Sequence, residues 1–169
     1  MSDDIPHIGD EPGFTPHIGR LVGMMRYVRH MTVDAVSGMS VAQLDHLHDP
    51  DSNSIGALLL HAAAVEDWYQ ANSIEEREWT DEEQDRWGAA LDLGDAGRSV
   101  IRGHELSYYL DNLEDVRSRT LDGLRQRDDA WLAAGEKMSN HFKWFHVFED
   151  EINHRGQIMW LRKRLPDYE

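Results

Sequence analysis

Apolar residues recur at spacings of three and four along most of this chain, and that rhythm predicts four long helices. The first starts at Thr15, a candidate cap followed by Pro16, and runs to about Ser37. Leu21, Met24, Met25, Val28, Met31 and Ala35 mark its buried face, and Gly38 ends it. A second helix, capped by Ser54, continues to about Asn72 and places Leu58, His61, Val65 and Trp68 on one side at about 100° per residue. The third extends from about Leu106 to Arg127. It turns Leu110, Leu113, Val116, Leu121 and Leu124 inward, and leaves Arg117, Arg119 and Arg125 among Asp111, Glu114 and Asp115 on the wet side. The fourth spans about Asn140 to Arg164 and stops before Pro166.

The segments between them are less regular. Residues 1–13, rich in Pro and Gly, read as an extended strap, and 14–166 as a single domain. Residues 73–104 form a long connection in which the Thr-Asp-Glu-Glu start predicts a short helix from Thr80 to Leu91. The phrase PHIG at 6–9 and 16–19 is too short to be a structural repeat. No segment alternates with period two between turn pairs. The expected fold is therefore all-α, an antiparallel four-helix bundle with a long connection between helices two and three.

Composition narrows the partners. With 169 residues the chain fits one domain. Its net charge of −15, from 32 acidic against 17 basic residues, disfavours nucleic acid and anionic membrane surfaces. The amino terminus lacks the basic start and apolar run of a signal peptide, and no stretch reaches the roughly 20 apolar residues of a membrane span. A cytoplasmic protein acting on a small molecule is the expectation. The absence of cysteine removes disulfides, thiolate ligands and a Cys nucleophile, so any sulfur chemistry would need an external thiol. The ten histidines become the main candidates for metal or acid–base work.

Those histidines are not evenly spread. His146, Asp150 and His154 are spaced by four and form one stripe on helix four, where two side chains can reach a common ion. His61, alone among apolar residues on helix two, is the natural third donor. Such a set leaves coordination positions open and suits Zn, Ni, Fe, Mn or Co without choosing among them. Bland readings compete: a lone histidine on an apolar face is usually a hydrogen-bonded core residue, and Asp with His at i, i+4 is usually a surface pair. Helix four, however, is apolar nearly all round. Trp144, Val147, Ile158 and Leu161 border the stripe, while Phe145, Phe148, Ile152 and Met159 fill the opposite side. A carboxylate there is costly unless paired with a cation. The opposite side is expected to bury against a second subunit, giving a homodimer, or against the 73–104 connection. Glu66 and Asp67 read as solvated helix charges. Gln157 reads either as a contact to substrate or a metal-held water, or as a packing residue between helices.

Two stretches, SIGALLLHAAAVEDWY at 54–69 and HVFEDEINHRGQIMWLRKRLP at 146–166, resemble the DinB/YfiT-like superfamily of metal-binding four-helix bundles, and the likeness covers about residues 14–166. The resemblance implies that His61, Asp150 and His154 are the metal ligands. It departs from the usual pattern at 150, where many members carry His and some Glu; His146, one turn earlier, could support the ligands or replace one. It further implies a metal-dependent enzyme of the thiol S-transferase type, using zinc or nickel first among the candidate ions and an external low-molecular-weight thiol. The alternatives it leaves are a metal-dependent hydrolase and a non-catalytic, stress-associated metal-binding dimer.

Overall fold

A computed structural model describes residues 8–166, and among these it contains helices and no strand. Four long helices carry the fold: α1 (Pro16–Val36), α3 (Ile55–Tyr69), α6 (Leu106–Arg125) and α8 (Asn140–Arg162). Short helices fill the connections: α2 (Val41–Leu44), α4 (Asp81–Asp92), α5 (Gly94–Val100) and α7 (Asp129–Ala133). The expected helix in the long connection is α4, opened by a capping box between Thr80 and Glu83. The strap expected over residues 1–13 lies partly outside the described residues; from Asp10 and Glu11 the chain is tied to α1 by ion pairs with Arg20 and Arg26.

The ends of α1 show how local chemistry and tertiary contact share the work. Gly38 adopts a φ of 73°, a left-handed conformation that lets the chain turn away where the periodicity predicts a stop. At the other end Thr15 holds the cap position, but its side chain does not cap. The carboxylate of Asp129, on α7, instead accepts from the Thr15 hydroxyl and from the N–H groups of His17 and Ile18. A remote acid therefore supplies the positive helix end with its counter-charge.

Each long helix packs against two others, α1 on α6 and α8, and α3 on α6 and α8. Contacts define their directions. Arg29 meets Glu151 and Ala35 meets Arg162, so α1 and α8 run parallel. Tyr109 lies against Gly56 and Arg117 against Glu66, so α3 and α6 are also parallel. Antiparallel pairing holds for α1 with α6 and for α3 with α8. The order is up, down, down, up. Only a long connection lets α6 start again at the end where α3 began, and residues 75–105 provide it. The glycine at 56 permits that parallel contact, because a Cβ there would lie 2.6 Å from the Tyr109 hydroxyl.

The interior is mostly apolar, and one level of it carries buried charge from all four long helices. There Arg29 of α1, Glu66 of α3, Arg117 of α6 and Glu151 of α8 converge, one residue from each long helix, all buried. Arg29 donates to Glu151 at 2.9 Å and to Glu66 at 3.0 Å; Arg117 donates to both oxygens of Glu66, at 2.7 and 3.0 Å. Their remaining nitrogens reach the carbonyls of Leu113 and Met25. Burial pushes the Glu66 carboxyl up, but the two guanidinium groups outweigh it and hold the carboxyl below its ordinary value.

This quartet corrects several expectations. Arg117 is not on the wet side, and Glu66 and Asp67 are not solvated. Asp67 accepts from Arg119 and from the Trp79 indole. The predicted face of α1 is shifted: Met31 is exposed, while Arg29 and Thr32 are buried. Hydrophobicity alone ranks Met above Arg for burial, and here partnered charge reverses the order. The outer side of α8 also departs from expectation. Phe148 is buried, but Phe142, Phe145, Ile152 and Met159 remain exposed, and α4 of the long connection packs on α3 instead of covering them.

Candidate metal centre

His61 sits on α3, which starts where the Ser54 hydroxyl accepts from the Ala57 N–H. Its Nδ1 lies 2.9 Å from the carbonyl oxygen of Ala90, on α4. A carbonyl can only accept, so Nδ1 carries the hydrogen and Nε2 is turned to the bundle interior. This is the outer contact that fixes ring orientation and tautomer in histidine metal sites.

The interior neighbour of that Nε2 is Asp150, whose Oδ2 lies 3.4 Å away. The other oxygen, Oδ1, is 3.3 Å from His154 Nε2. The two imidazole rings stand edge to face with centroids 4.7 Å apart. One donor atom from each of the three residues falls within 4.8 Å of the other two. Sequence spacing expected this convergence, and the antiparallel run of α3 against α8 delivers it.

The electrostatics favour a cation. Burial pushes the Asp150 carboxyl up, yet its pairing with the His154 and His61 imidazoles outweighs it and holds the carboxyl far below the ordinary carboxylate range. Burial pushes His61 down, and its pairing with Asp150 together with the Ala90 carbonyl raises it above the ordinary imidazole value. With its hydrogen on Nδ1, neutral His61 would present a lone pair to a carboxylate lone pair. Something positive belongs between them, a proton or a metal ion. Asp150 Oδ2, which faces His61, is buried without a hydrogen-bond partner, as is Nδ1 on the other side of the His154 ring. The residues fit a divalent transition metal held by nitrogen and oxygen.

A cavity of about 280 Å³ opens onto the cluster, lined by His61, Val65, Trp68, Tyr69, Leu91, His146 and Asp150. His146 lies outside the three-donor set. Its Nδ1 is 3.0 Å from Glu149 Oε2, and its ring stands edge-on to Tyr69. Gln157 does not reach this cavity. It is exposed and lines a separate groove of about 590 Å³ with Asp51, Ser52, Asn53, Asn153 and Trp160. A further groove, about 680 Å³ between Met31, Ala35, Arg155 and Met159, contains none of the three donors. Sequence reasoning missed the Ala90 carbonyl and the walls provided by Leu91 and Tyr69. Leu91 and Ala90 come from a connection whose docking no periodicity encodes, whereas Tyr69 could have been found from its place two turns after His61 on the same helix.

No curated protein matches the chain. Among solved structures, one described as the conserved protein of locus from Enterococcus faecalis aligns with a TM-score of 0.66 at 18% identity, covering 85% of this chain and 93% of that one. At that identity the likeness establishes the fold. Residues 20–166 match the mycothiol S-transferase family. The chain belongs to the mycothiol S-transferase family.

Proposed function

We propose that this protein holds one divalent transition metal, zinc or nickel first, through His61, Asp150 and His154, and transfers a low-molecular-weight thiol to a small electrophile. The observation that carries the reading is the cluster itself: three donors within 4.8 Å, two of them with buried atoms left unpaired, in a chain of this family. When bound, the metal supplies a Lewis acid that lowers the pKa of a thiol toward neutrality. Everything else falls to the protein. Asp150 contributes the negative charge that retains a cation, and Ala90 keeps the His61 ring aimed. Val65, Trp68 and Leu91 make the cavity walls apolar, excluding water and seating an apolar electrophile. Gln157, Asn53 and Asn153, which line the separate groove, are assigned to polar contacts with a distal part of the thiol. The exposed apolar residues Phe142, Phe145, Ile152 and Met159 of α8, with Tyr27 and Met31 of α1, form the contact of a homodimer, which sedimentation will resolve from a monomer.

Elemental analysis is expected to find one metal per chain, and His61→Ala to abolish it. Conjugation of mycothiol to monobromobimane should follow metal content. Metal-loaded protein that conjugates no thiol would reject the transferase reading, and unchanged metal in His61→Ala would reject the site.

A further inference from the structure

Thiol transfer leaves a proton to be placed. Of the ionisable groups around the cavity, most are committed. Asp150 is held ionised between two imidazoles, and His61 spends Nδ1 on Ala90 and turns Nε2 to the ion position. Burial raises the Tyr69 hydroxyl, assisted by the Asp150 charge, so it is a poor base in this place. Glu66 and Glu151 are sealed and saturated by Arg29 and Arg117. One ionisable lining residue is left over.

That residue is His146. It lines the same cavity as His61 and Asp150, yet lies outside the donor cluster. Glu149, which can only accept as a carboxylate, takes the hydrogen bond from Nδ1 at 3.0 Å, so the free lone pair is on Nε2. Asn153 donates to the other oxygen of Glu149 and fixes the carboxylate. Tyr69 and Phe142 flank the ring. The arrangement is a histidine oriented by a third group, as in general bases that activate a nucleophile. Glu149 and Asp150 from α8, with Tyr69 and His61 from α3, are the titratable groups that face it or share its cavity.

Resting on the transferase reading, we infer that His146 is the acid–base residue of the reaction and not a ligand, with Glu149 as its positioning residue. Nε2 takes the proton from the thiol S–H as the sulfur forms its bond to the electrophilic carbon. The bond from that carbon to the leaving group breaks with its electron pair, and His146 returns the proton to the leaving group or to solvent.

The test uses the zinc-loaded protein, mycothiol and monobromobimane, comparing His146→Gln and Glu149→Gln with the natural sequence. Zinc content should stay at one per chain in both. In His146→Gln, kcat/KM should fall by about 100-fold, within the range typical of general bases, and lose the pH dependence that the natural protein shows. Glu149→Gln should fall less and change the pH profile. A binding readout is independent of turnover. Calorimetry of mycothiol binding in buffers of different ionisation enthalpy should show more protons released by His146→Gln than by the natural protein. Loss of zinc in His146→Gln would make it a ligand and overturn the inference, as would an unchanged pH profile and proton count. Protein that binds mycothiol without conjugating it overturns the transferase reading, while the proton count still judges His146; protein that binds no mycothiol overturns both.

Discussion

The bundle contains two polar clusters, and Asp150 and Glu151, neighbours in the chain, belong one to each. The quartet of Arg29, Glu66, Arg117 and Glu151 has two charges of each sign and uses every guanidinium nitrogen. The cluster of His61, Asp150 and His154 has one carboxylate, two imidazoles and two buried atoms without partners. Both sit among apolar side chains. What separates them is completeness. A balanced, saturated cluster has nothing left to offer a ligand and fixes the relation of four helices, whereas an unbalanced one is stable only with a cation from outside.

The sharpest way to break this comparison is Glu66→Gln, which leaves two buried guanidinium groups to share the single carboxylate of Glu151. It should cost about 3–5 kcal/mol in urea unfolding, as expected for removing one member of a buried ion pair. A cost below about 1 kcal/mol would place the quartet with ordinary surface pairs and end the contrast. Zinc should sharpen the other side. At a hundredfold excess over Kd it should add about 2.7 kcal/mol of stability, reversed by a chelator and absent in Asp150→Asn. The same titration should leave Glu66→Gln destabilised relative to the natural protein, since the quartet does not use the ion.

The smallest effect is in pH. His61 is raised in the folded protein, so in the metal-free state its contribution is complete below the ordinary imidazole value, about 6.5, and is lost as pH rises through its higher folded value. Zinc affinity should move the opposite way, rising over that window, because a proton must leave before the ion binds. The depressed carboxyls of Glu66 and Asp150 give stability that is present above their ordinary values and disappears as pH falls through the folded ones. Melting curves of metal-free and zinc-loaded protein between about pH 6 and 9 should therefore diverge as pH rises. Parallel curves would remove the proton–metal competition inferred at His61.

The four long helices and the Asp150–His154 pair were legible for the same reason, since each depends on positions within a single helix. Adding His61 from another helix rested on its lone place among apolar residues and on the family resemblance. His61 stood alone among apolar residues, and Asp150 and His154 stood one turn apart. The quartet was not legible. Arg29 and Arg117 look like surface charges until residues on other helices meet them, and the expected solvation of Glu66 rested on that local view. The parallel pairing of α3 with α6 was hidden in the same way, because an amphipathic pattern records a buried face and not a direction. Asp129 illustrates a third gap. Its role as counter-charge to α1 depends on α7 docking more than a hundred residues later, while Thr15 offered a plausible cap nearby.

The hydrogen bond from His61 to Ala90 ends on a main-chain oxygen. No side-chain exchange at position 90 deletes that acceptor, so the aim of the imidazole is insulated from most drift in the α4 sequence. It is correspondingly sensitive to anything that slides α4 as a body along α3. Insertions or deletions between residues 75 and 80 would act as a tuning screw, altering the grip on an ion while every residue that touches it stays the same.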